Sequence, residues 1–461
     1  MHANRKRAAG QALVLCVLVL LAGAMALYFL FSTAQVSSTR HRLNNAADAA
    51  AWSAALWRAR VLNYHAYANR AIVAQEVAIA QAVTLAAWAK YFETFTGTAS
   101  ALSAAYPPVA AVLAVSAELA RTASVLATQT AGEEIAARDT YKRLLATSQE
   151  LMHRSADTFG LGAVANEVAR ANDKRFFAFA LPDDGEFPSL TRRYEGADRA
   201  RLKSVVDDSL DHFVSGPRGL DLTLWLLPSL CFGNPLAGFD AWFHALHKRG
   251  GTVMAPELER WEAGDTMSLH GWRYKSGFLG LFRGCRQYEA LPLGWGGAEA
   301  SGGGAGGFHD DSVPAAVGGF LANPGNVRYN AAAAELAEAG MLADAAGGYT
   351  AFSGIAEVRE LDYAALANPR FPRSQVAVLA RAEGEDVRTA NVLNVGVGRL
   401  RMHENYAGRR LWAVSTAEVY FRRPASAPER VEYASLYSPY WQVRLTEPSA
   451  AQRARAQAYV R

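Results

Sequence analysis

The sequence predicts an α+β protein in which one N-terminal transmembrane helix continues into a helical stalk or bundle, followed by a mixed head with an antiparallel sheet. Residues 11–31 form an uncharged apolar run, and residues 37–175 are rich in alanine and other helix formers. Aromatic, β-branched, glycine and proline residues increase after residue 181. We therefore place domain boundaries at 1–36 (basic tip and membrane helix), 37–180 (stalk or bundle) and 181–461 (head).

The apolar run is long enough to cross a bilayer. Its 21 residues would span about 31 Å as a helix, which matches a hydrocarbon core of about 30 Å. Arg5, Lys6 and Arg7 precede it, and basic residues beside a membrane segment stay on the cytoplasmic side. We expect a cytoplasmic N-terminus and an exported body. A cleaved signal peptide and a buried core helix are the alternatives, although the run exceeds the usual length of a signal-peptide core.

The alanine-rich region predicts helices that pack closely on one another. Small and apolar residues recur at alternating steps of four and three, the spacing of a helix-packing seam. The candidate seam consists of Leu43, Ala47, Ala50, Ala54, Trp57 and Val61. A Pro pair ends the pattern within residues 95–108, so we predict a turn there, a second helix over 109–153 and a shorter helix over 164–179.

The head is predicted to contain an antiparallel sheet with a few helices. Strand-like enrichment in β-branched and aromatic residues marks five segments, namely 252–259, 266–274, 375–382, 412–422 and 441–445. Residues 201–213 and 331–345 are predicted to be helical. This order favours an α+β head over a βαβ repeat. The glycine-rich stretch 294–307 has few side chains to bury, so we expect a mobile surface loop there.

Charge and cysteine content limit the classes of function. The formal net charge is only +4 and no block of five or six like charges occurs, which argues against a nucleic-acid partner. Cys16 lies in the membrane run, whereas Cys231 and Cys285 lie in the predicted exported body. An oxidising compartment would permit a disulfide between those two cysteines. Two isolated buried thiols are the alternative.

No motif in the sequence supports an enzyme, a cofactor or a metal. The glycine-rich stretch lacks the Lys-Ser/Thr of a phosphate loop, and no Gly-x-Ser-x-Gly elbow occurs. His309, Asp310 and Asp311 are adjacent, and His244 and His247 are three apart. Solvated charges and surface histidines are commoner than metal ligands at such spacings. We therefore expect no catalytic residue, no cofactor and no metal site.

Two short N-terminal stretches carry a family resemblance. Gly10-Gln11-Ala12-Leu13-Val14-Leu15 and Arg42-Leu43-Asn44-Asn45-Ala46-Ala47-Asp48-Ala49-Ala50-Ala51 together resemble the TadG-like N-terminal segment of bacterial Tad (Flp) pilus-assembly proteins. The motif residues are Gly10, Gln11, Asn44, Asn45 and Asp48. The resemblance implies a single-pass inner-membrane protein with a periplasmic C-terminal body and pilus or secretion-system proteins as partners. Asn44, Asn45 and Asp48 would either hydrogen-bond across a helix interface or face water.

The leading hypothesis is a non-enzymatic component of pilus assembly or a related secretion apparatus that acts by protein packing, with homo-oligomerisation through the stalk as an option. The alternative is a membrane-tethered sensor or binding head for envelope polymers, since aromatic side chains can line carbohydrate surfaces. The aromatic residues in question are Trp225, Trp242, Trp261, Trp272, Trp295 and Tyr288. Core aromatic residues would explain them equally well.

Overall fold

A computed structural model provides the structure of the chain. The residues that it describes are 9–182, 187, 191–193, 199–223, 241–254, 260–276, 283–301, 327–341, 349, 359–361, 373–387, 410–423 and 434–460. For some of these only the backbone is described. Cys231 and the side chain of Cys285 lie outside the described residues, as do residues 302–326, so the disulfide stays a prediction.

Three helices come first along the chain. They are α1 (Ala9–Leu102), α2 (Pro107–Ser155) and α3 (Thr158–Asn172). A short 3-10 helix, Ser103–Ala105, connects α1 to α2, which confirms the turn predicted within 95–108. The carboxylate of Asp157 caps α3 by accepting hydrogen bonds from the backbone N–H groups of Phe159 and Gly160, both at 3.0 Å.

The predicted helix over 164–179 is wrong at its C-terminal end. Helix α3 ends at Asn172, because Asp173 adopts an extended backbone conformation (φ −155°, ψ 125°). The following residues form strand β1 (Phe177–Ala180), which pairs with a strand about 200 residues later in the chain. That partner lies far outside any local sequence window.

The remaining elements alternate between strands and short helices. The strands are β2 (Thr191–Arg193), β3 (Leu220–Thr223), β4 (Ala241–Met254), β5 (Arg260–Ser276), β6 (Arg283–Ser301), β7 (Arg359–Leu361), β8 (Arg373–Ala382), β9 (Leu411–Phe421) and β10 (Trp441–Thr446). The helices are α4 (Arg199–Asp207), α5 (His212–Ser215), α6 (Ala331–Ala339) and α7 (Ala450–Val460), with 3-10 turns at Val327–Tyr329 and Gly384–Asp386.

Two four-stranded antiparallel sheets organise these strands. The first sheet has the order β1-β8-β9-β10, the second has the order β3-β4-β5-β6, and β2 pairs with β7 in a third, two-stranded sheet. The α+β class with antiparallel sheets is confirmed.

The chain forms two compact units. Unit 1 comprises residues 1–67, 149–192 and 359–461, and unit 2 comprises residues 68–148 and 193–358. Both units therefore combine helical residues from before residue 180 with strands from after it. The two units do not follow the predicted boundary between stalk and head at residue 180. In each unit, strands pack against helices that the sequence alone assigns to a separate bundle.

Unit 1 has a core between helices and the first sheet. Small residues of α1 share one buried cluster with Leu161 of α3, Val378 of β8 and Val419 of β9. The side chain of Asn63 also fixes α1 to β10, since its amide N–H donates to the Trp441 carbonyl at 3.1 Å and its amide oxygen accepts from the Trp441 N–H at 3.0 Å.

Unit 2 places the C-terminal part of α1 against the second sheet. Buried hydroxyl groups of Thr84 and Thr252 lie 2.7 Å apart. The Thr94 hydroxyl donates to the Trp295 carbonyl at 2.6 Å and accepts from the Trp295 N–H at 2.8 Å. Helix α1 therefore contacts β4 and β6 directly.

The expected surface loop at 294–307 is wrong for its first eight residues. Residues 294–301 belong to strand β6, and most of them are buried. A Cβ atom added to Gly296 would lie 2.3 Å from both the Ala87 carbonyl oxygen and the Tyr91 nitrogen of α1. Glycine is needed here because the strand backbone touches the helix backbone. Residues 302–307 lie outside the described part of the chain.

Candidate membrane anchor and assembly surface

The N-terminal part of α1 has the surface of a membrane span. Leu13 is 71% exposed and Leu20 is 72% exposed, and the apolar residues between them are exposed too. A helix with apolar side chains on all sides is suited to a lipid environment. Within the described residues, α1 and α2 both have the length and composition that could cross a membrane. The helix at the N-terminus indicates membrane anchoring.

The surface of α1 changes after the apolar run. The predicted seam positions Leu43, Ala47, Ala50, Ala54 and Val61 are all buried in the core of unit 1, and Trp57 is half-buried against the same core. The Trp57 indole N–H donates to the Ser155 carbonyl at 3.2 Å. The structure thus gives these residues intramolecular neighbours.

The motif residues lie on the opposite, solvent-facing side of α1. Asn44, Asn45 and Asp48 are exposed. Together with the exposed His41 and Trp52, they follow steps of three and four and so share one helix face. Gly10 lies in the first turn of α1, and the side chain of Gln11 is not described. We call the face formed by His41, Asn44, Asn45, Asp48 and Trp52 the motif face.

Arg58 fixes the end of this segment inside unit 1. Its side chain is buried, and Nη1 donates to the Ser374 hydroxyl at 2.7 Å. Nε and Nη2 each lie 3.4 Å from the Ala156 carbonyl oxygen, and the guanidinium lies 4.4 Å from the centre of the Phe187 ring. Arg58 was not predicted, although an arginine within an alanine-rich seam is an available signal for a buried, hydrogen-bonded side chain.

An ion pair joins the same segment to the connection after α3. Arg42 pairs with the carboxylate of Asp173, which also accepts a hydrogen bond from Arg175 at 2.7 Å. These arginines, led by the hydrogen bond from Arg175, lower the pKa of Asp173 to about 2. The carboxylate therefore remains charged at any ordinary pH and holds Arg42 in place.

Unit 2 contains a polar cluster centred on His247. The Nδ1 atom of His247 pairs with the Asp221 carboxylate, and its Nε2 atom lies 2.9 Å from the Gln287 amide nitrogen. Arg249 is buried and donates to the same Asp221 carboxylate at 2.6 Å, and its guanidinium lies 4.5 Å from the centre of the Tyr329 ring. Burial lowers the pKa of His247 despite the hydrogen bond that the ring makes to Asp221, and this lowered pKa favours the neutral ring.

The cluster continues through a second histidine. His270 Nε2 lies 2.9 Å from the Asn330 side-chain oxygen, and the amide nitrogen of Asn330 donates to the His247 carbonyl at 3.0 Å. The rings of His270 and Tyr329 stack with centroids 5.2 Å apart. Burial lowers the pKa of His270 as well. These contacts join β4 and β5 to the Val327–Tyr329 turn.

The hydrogen bonds near this cluster extend to the N-terminus of α6. The Ser268 hydroxyl donates to the Glu289 carboxylate at 2.5 Å. The same carboxylate accepts from the backbone N–H groups of Ala332 at 2.6 Å and Ala333 at 3.1 Å, so Glu289 caps the N-terminus of α6. The proton of Ser268 is directed to a helix-capping carboxylate, an arrangement that stabilises a fold.

The other sequence candidates occupy different surroundings. His247 belongs to the polar cluster, whereas the side chain of His244 and residues 309–311 lie outside the described part of the chain. Trp261 is fully buried and donates to Glu76 at 2.9 Å. Trp272, Trp295 and Tyr288 are half-buried, and the side chains of Trp225 and Trp242 are not described.

An apolar helix that leads into a buried alanine-rich seam defines a protein with an N-terminal membrane-anchoring segment. Residues 9–59 match the family described as putative Flp pilus-assembly TadE/G-like, in agreement with the resemblance carried by the motif residues. The matched segment spans the apolar run, the motif face and most of the seam. No curated protein and no solved structure matches the chain at a significant level.

Proposed function

We propose that this chain is a non-enzymatic, membrane-anchored component of a Tad/Flp pilus-assembly or related secretion apparatus and acts by protein packing. The observation that carries the proposal is the TadE/G-like match over residues 9–59. This match coincides with an exposed apolar helix, a buried seam and an exposed motif face.

The proposed orientation places the N-terminus in the cytoplasm and the C-terminal body in the periplasm of a bacterium with a single N-terminal span. Arg5, Lys6 and Arg7 before the apolar run support this orientation. A reporter enzyme that is active only in the periplasm, fused after Arg461, should therefore be active. Activity only of a cytoplasmic reporter at that position would reverse the topology and remove the proposed role.

The motif face is the proposed contact with pilus or secretion-system proteins. The seam residues have neighbours within unit 1, whereas Asn45, Asp48 and Trp52 point outward. Side chains on an exposed face of an otherwise buried helix are available to a second protein. A second copy of this chain is one such partner.

The test is a triple substitution, Asn45→Ala, Asp48→Ala and Trp52→Ala, in the bacterium that encodes the chain. We expect loss of surface pili and of co-purification with pilus-assembly proteins, while the amount of the chain in the membrane is unchanged. Arg60→Ala is the matched control, because Arg60 is exposed on the same helix just beyond the matched segment. Unaltered pili and an unchanged set of co-purified proteins in the triple variant would contradict the proposal.

A further inference from the structure

The turn between α1 and α2 carries a long surface without charge. Residues 94–117 contain no Asp, Glu, Lys, Arg or His, and Glu93 and Glu118 are the first charged residues on either side. Tyr106 lies near the middle of this stretch. Each arm between Tyr106 and the flanking glutamate is about a dozen residues long, or roughly 18 Å of helix. We call residues 94–117 the uncharged hairpin.

Most apolar side chains of the hairpin from Leu102 onward point outward, whereas Phe95 packs against the core of unit 2. Tyr106 is 62% exposed, Val112 is 69% exposed and Val115 is 63% exposed. Leu102 within the hairpin and Leu119 just beyond it are also exposed. A helix of a water-soluble protein turns such residues toward its core. The outward orientation therefore indicates an apolar environment around the hairpin.

The backbone N–H groups at the start of α2 are hydrogen-bonded, although the start of a helix normally leaves such groups without a partner. The first N–H groups of a helix have no partner within that helix. In α2, Pro107 and Pro108 have no N–H, and the N–H groups of Val109 and Ala110 donate to the Tyr106 carbonyl at 3.1 and 3.0 Å. The Tyr106 N–H donates to the Ser103 carbonyl at 2.8 Å. This satisfaction is required in hydrocarbon, where no water replaces a missing partner.

Four hydroxyl groups of the hairpin are satisfied in the same local way. Thr96 donates to the Phe92 carbonyl and Thr98 to the Thr94 carbonyl, both at 2.9 Å. Ser103 and Ser116 each donate to the carbonyl three residues earlier at 2.8 Å. Hydroxyl groups bonded to their own helix lower the cost of placing serine and threonine in lipid.

The residues beside the hairpin match the polar boundary of a membrane. On α1, Lys90 and Glu93 form an ion pair at 3.1 Å. The exposed rings of Trp88 and Phe92 stack with centroids 5.5 Å apart. Aromatic side chains concentrate at the level of lipid head groups. Thr94 and Phe95 contact β6 and Thr96 is buried, so the α1 arm that is free to enter lipid begins near Gly97 and is roughly 14 Å long. This length is about half of a hydrocarbon core of about 30 Å, which is the depth of one leaflet.

From these observations we propose that the uncharged hairpin inserts into one leaflet of a lipid bilayer, with Tyr106, Pro107 and Pro108 at its deepest point. The hairpin is a second membrane contact, separate from the N-terminal span. It depends on the chemistry of residues 94–117 and not on the pilus-assembly proposal.

The experiment uses the full-length chain held by its N-terminal helix in a lipid nanodisc. A polarity-sensitive nitrobenzoxadiazole dye is attached to Ala111→Cys in the hairpin or to Ala137→Cys, an exposed position on the same helix outside it. The signal of the labelled unsubstituted chain is subtracted as background. Lipids with a spin label on the acyl chain are placed either in the nanodisc or in added vesicles of phosphatidylcholine with a minor fraction of phosphatidylglycerol. The two placements of the spin-labelled lipid distinguish insertion into the same bilayer from insertion into a second one.

We expect the dye at residue 111 to emit at shorter wavelength and to be quenched with one placement of the spin-labelled lipid. The dye at residue 137 should stay unquenched with both placements. The added substitutions Val112→Asp and Val115→Asp should abolish quenching at residue 111, while Ala137→Asp should leave it unchanged. Circular dichroism checks that the helices remain, since Val112 and Val115 face outward. Absence of lipid quenching with both placements of the spin-labelled lipid overturns the proposal. A blue shift that depends only on protein concentration also overturns it, because it assigns the hairpin to contact between copies.

Discussion

The ammonium group of Lys142 on α2 is paired with the carboxylate of Glu76 on α1 in the interior of unit 2, where the two side chains are 1% and 0% exposed. The other oxygen of Glu76 accepts from Trp261 at 2.9 Å and from Tyr349 at 3.0 Å. Lys142 also lies 3.3 Å from Asp139. Unit 2 therefore contains a buried ionic network that joins α1, α2 and β5.

Lys142→Met should destabilise unit 2, because it removes one partner of a buried ion pair and leaves a carboxylate charge without compensation. The expected loss in free energy of unfolding is about 3–5 kcal/mol. Denaturant unfolding in detergent, followed by tryptophan fluorescence, measures it, with Trp261 beside the network. Thr140→Met is the control, since Thr140 is exposed on the same helix. Equal stability of the two variants would show that the pair contributes little.

Gly296→Ala should weaken the contact between β6 and α1. The new methyl group would lie 2.3 Å from the Ala87 carbonyl oxygen, so backbone must move, at a cost of about 1–3 kcal/mol. Gly97→Ala is the matched control, because a Cβ atom there meets nothing within 4 Å. In the helix that change should stabilise by about 0.5–1 kcal/mol. Thermal unfolding should show a lower midpoint for Gly296→Ala and a higher midpoint for Gly97→Ala, if the backbones of β6 and α1 approach this closely.

Ala50→Leu should unfold or loosen unit 1 rather than remove only a contact with another protein. Ala50 is fully buried in the core of unit 1, and additional methylene groups in a packed core cost about 1–3 kcal/mol. Limited proteolysis of the full chain detects the loss. Asn45→Leu, on the exposed motif face, should leave the protease resistance unchanged. Normal resistance in Ala50→Leu with impaired pilus assembly would instead support an intermolecular seam.

Unit 2 should lose stability as the pH falls below the ordinary pKa of histidine. Burial lowers the folded-state pKa of His247 and His270, while the unfolded chain takes up protons from about pH 6.5 downward. Protonation thus favours the unfolded state: the stabilisation is complete above about pH 6.5 and declines as the pH falls toward the folded-state pKa. Urea midpoints between roughly pH 7.5 and pH 5 should show this decline.

His270→Gln tests the origin of this pH dependence. Glutamine retains a donor toward Asn330 but cannot titrate, so the dependence of the urea midpoint on pH should become weaker. His41→Gln, at an exposed position on α1, serves as the control. The groups that surround the two histidines include Asp221, Arg249 and Glu289. An unchanged pH profile in His270→Gln would assign the effect to His247.

The sequence predicted those features that depend on local chemistry. The apolar run, the Pro pair after α1 and the β-branched stretch of β8 each signal their own structure. Features that depend on distant partners were missed. Glycines of β6 resemble a loop because the helix that needs their small size lies some 200 residues earlier, and Phe177 resembles a helical residue because its partner Arg381 is equally remote.

The residues of the candidate site likewise were predicted only where their role does not depend on distant partners. The motif residues were predicted because a resemblance over residues 9–59 carries them. Arg58, Asn63 and Lys142 were not predicted, because their importance comes from Ser374, Trp441 and Glu76, and no spacing in one sequence relates these pairs. The buried charge of Lys142 in an amphipathic helix is indistinguishable in sequence from a solvated one.

The outer strands of the first sheet are short, since β1 has four residues and β10 has six. Beyond β1, the guanidinium of Arg58 reaches the edge of β8 at Ser374. Short or covered edges resist the addition of strands from neighbouring molecules. The first sheet therefore presents only short outer strands, which disfavour fibre-like growth between copies of the chain.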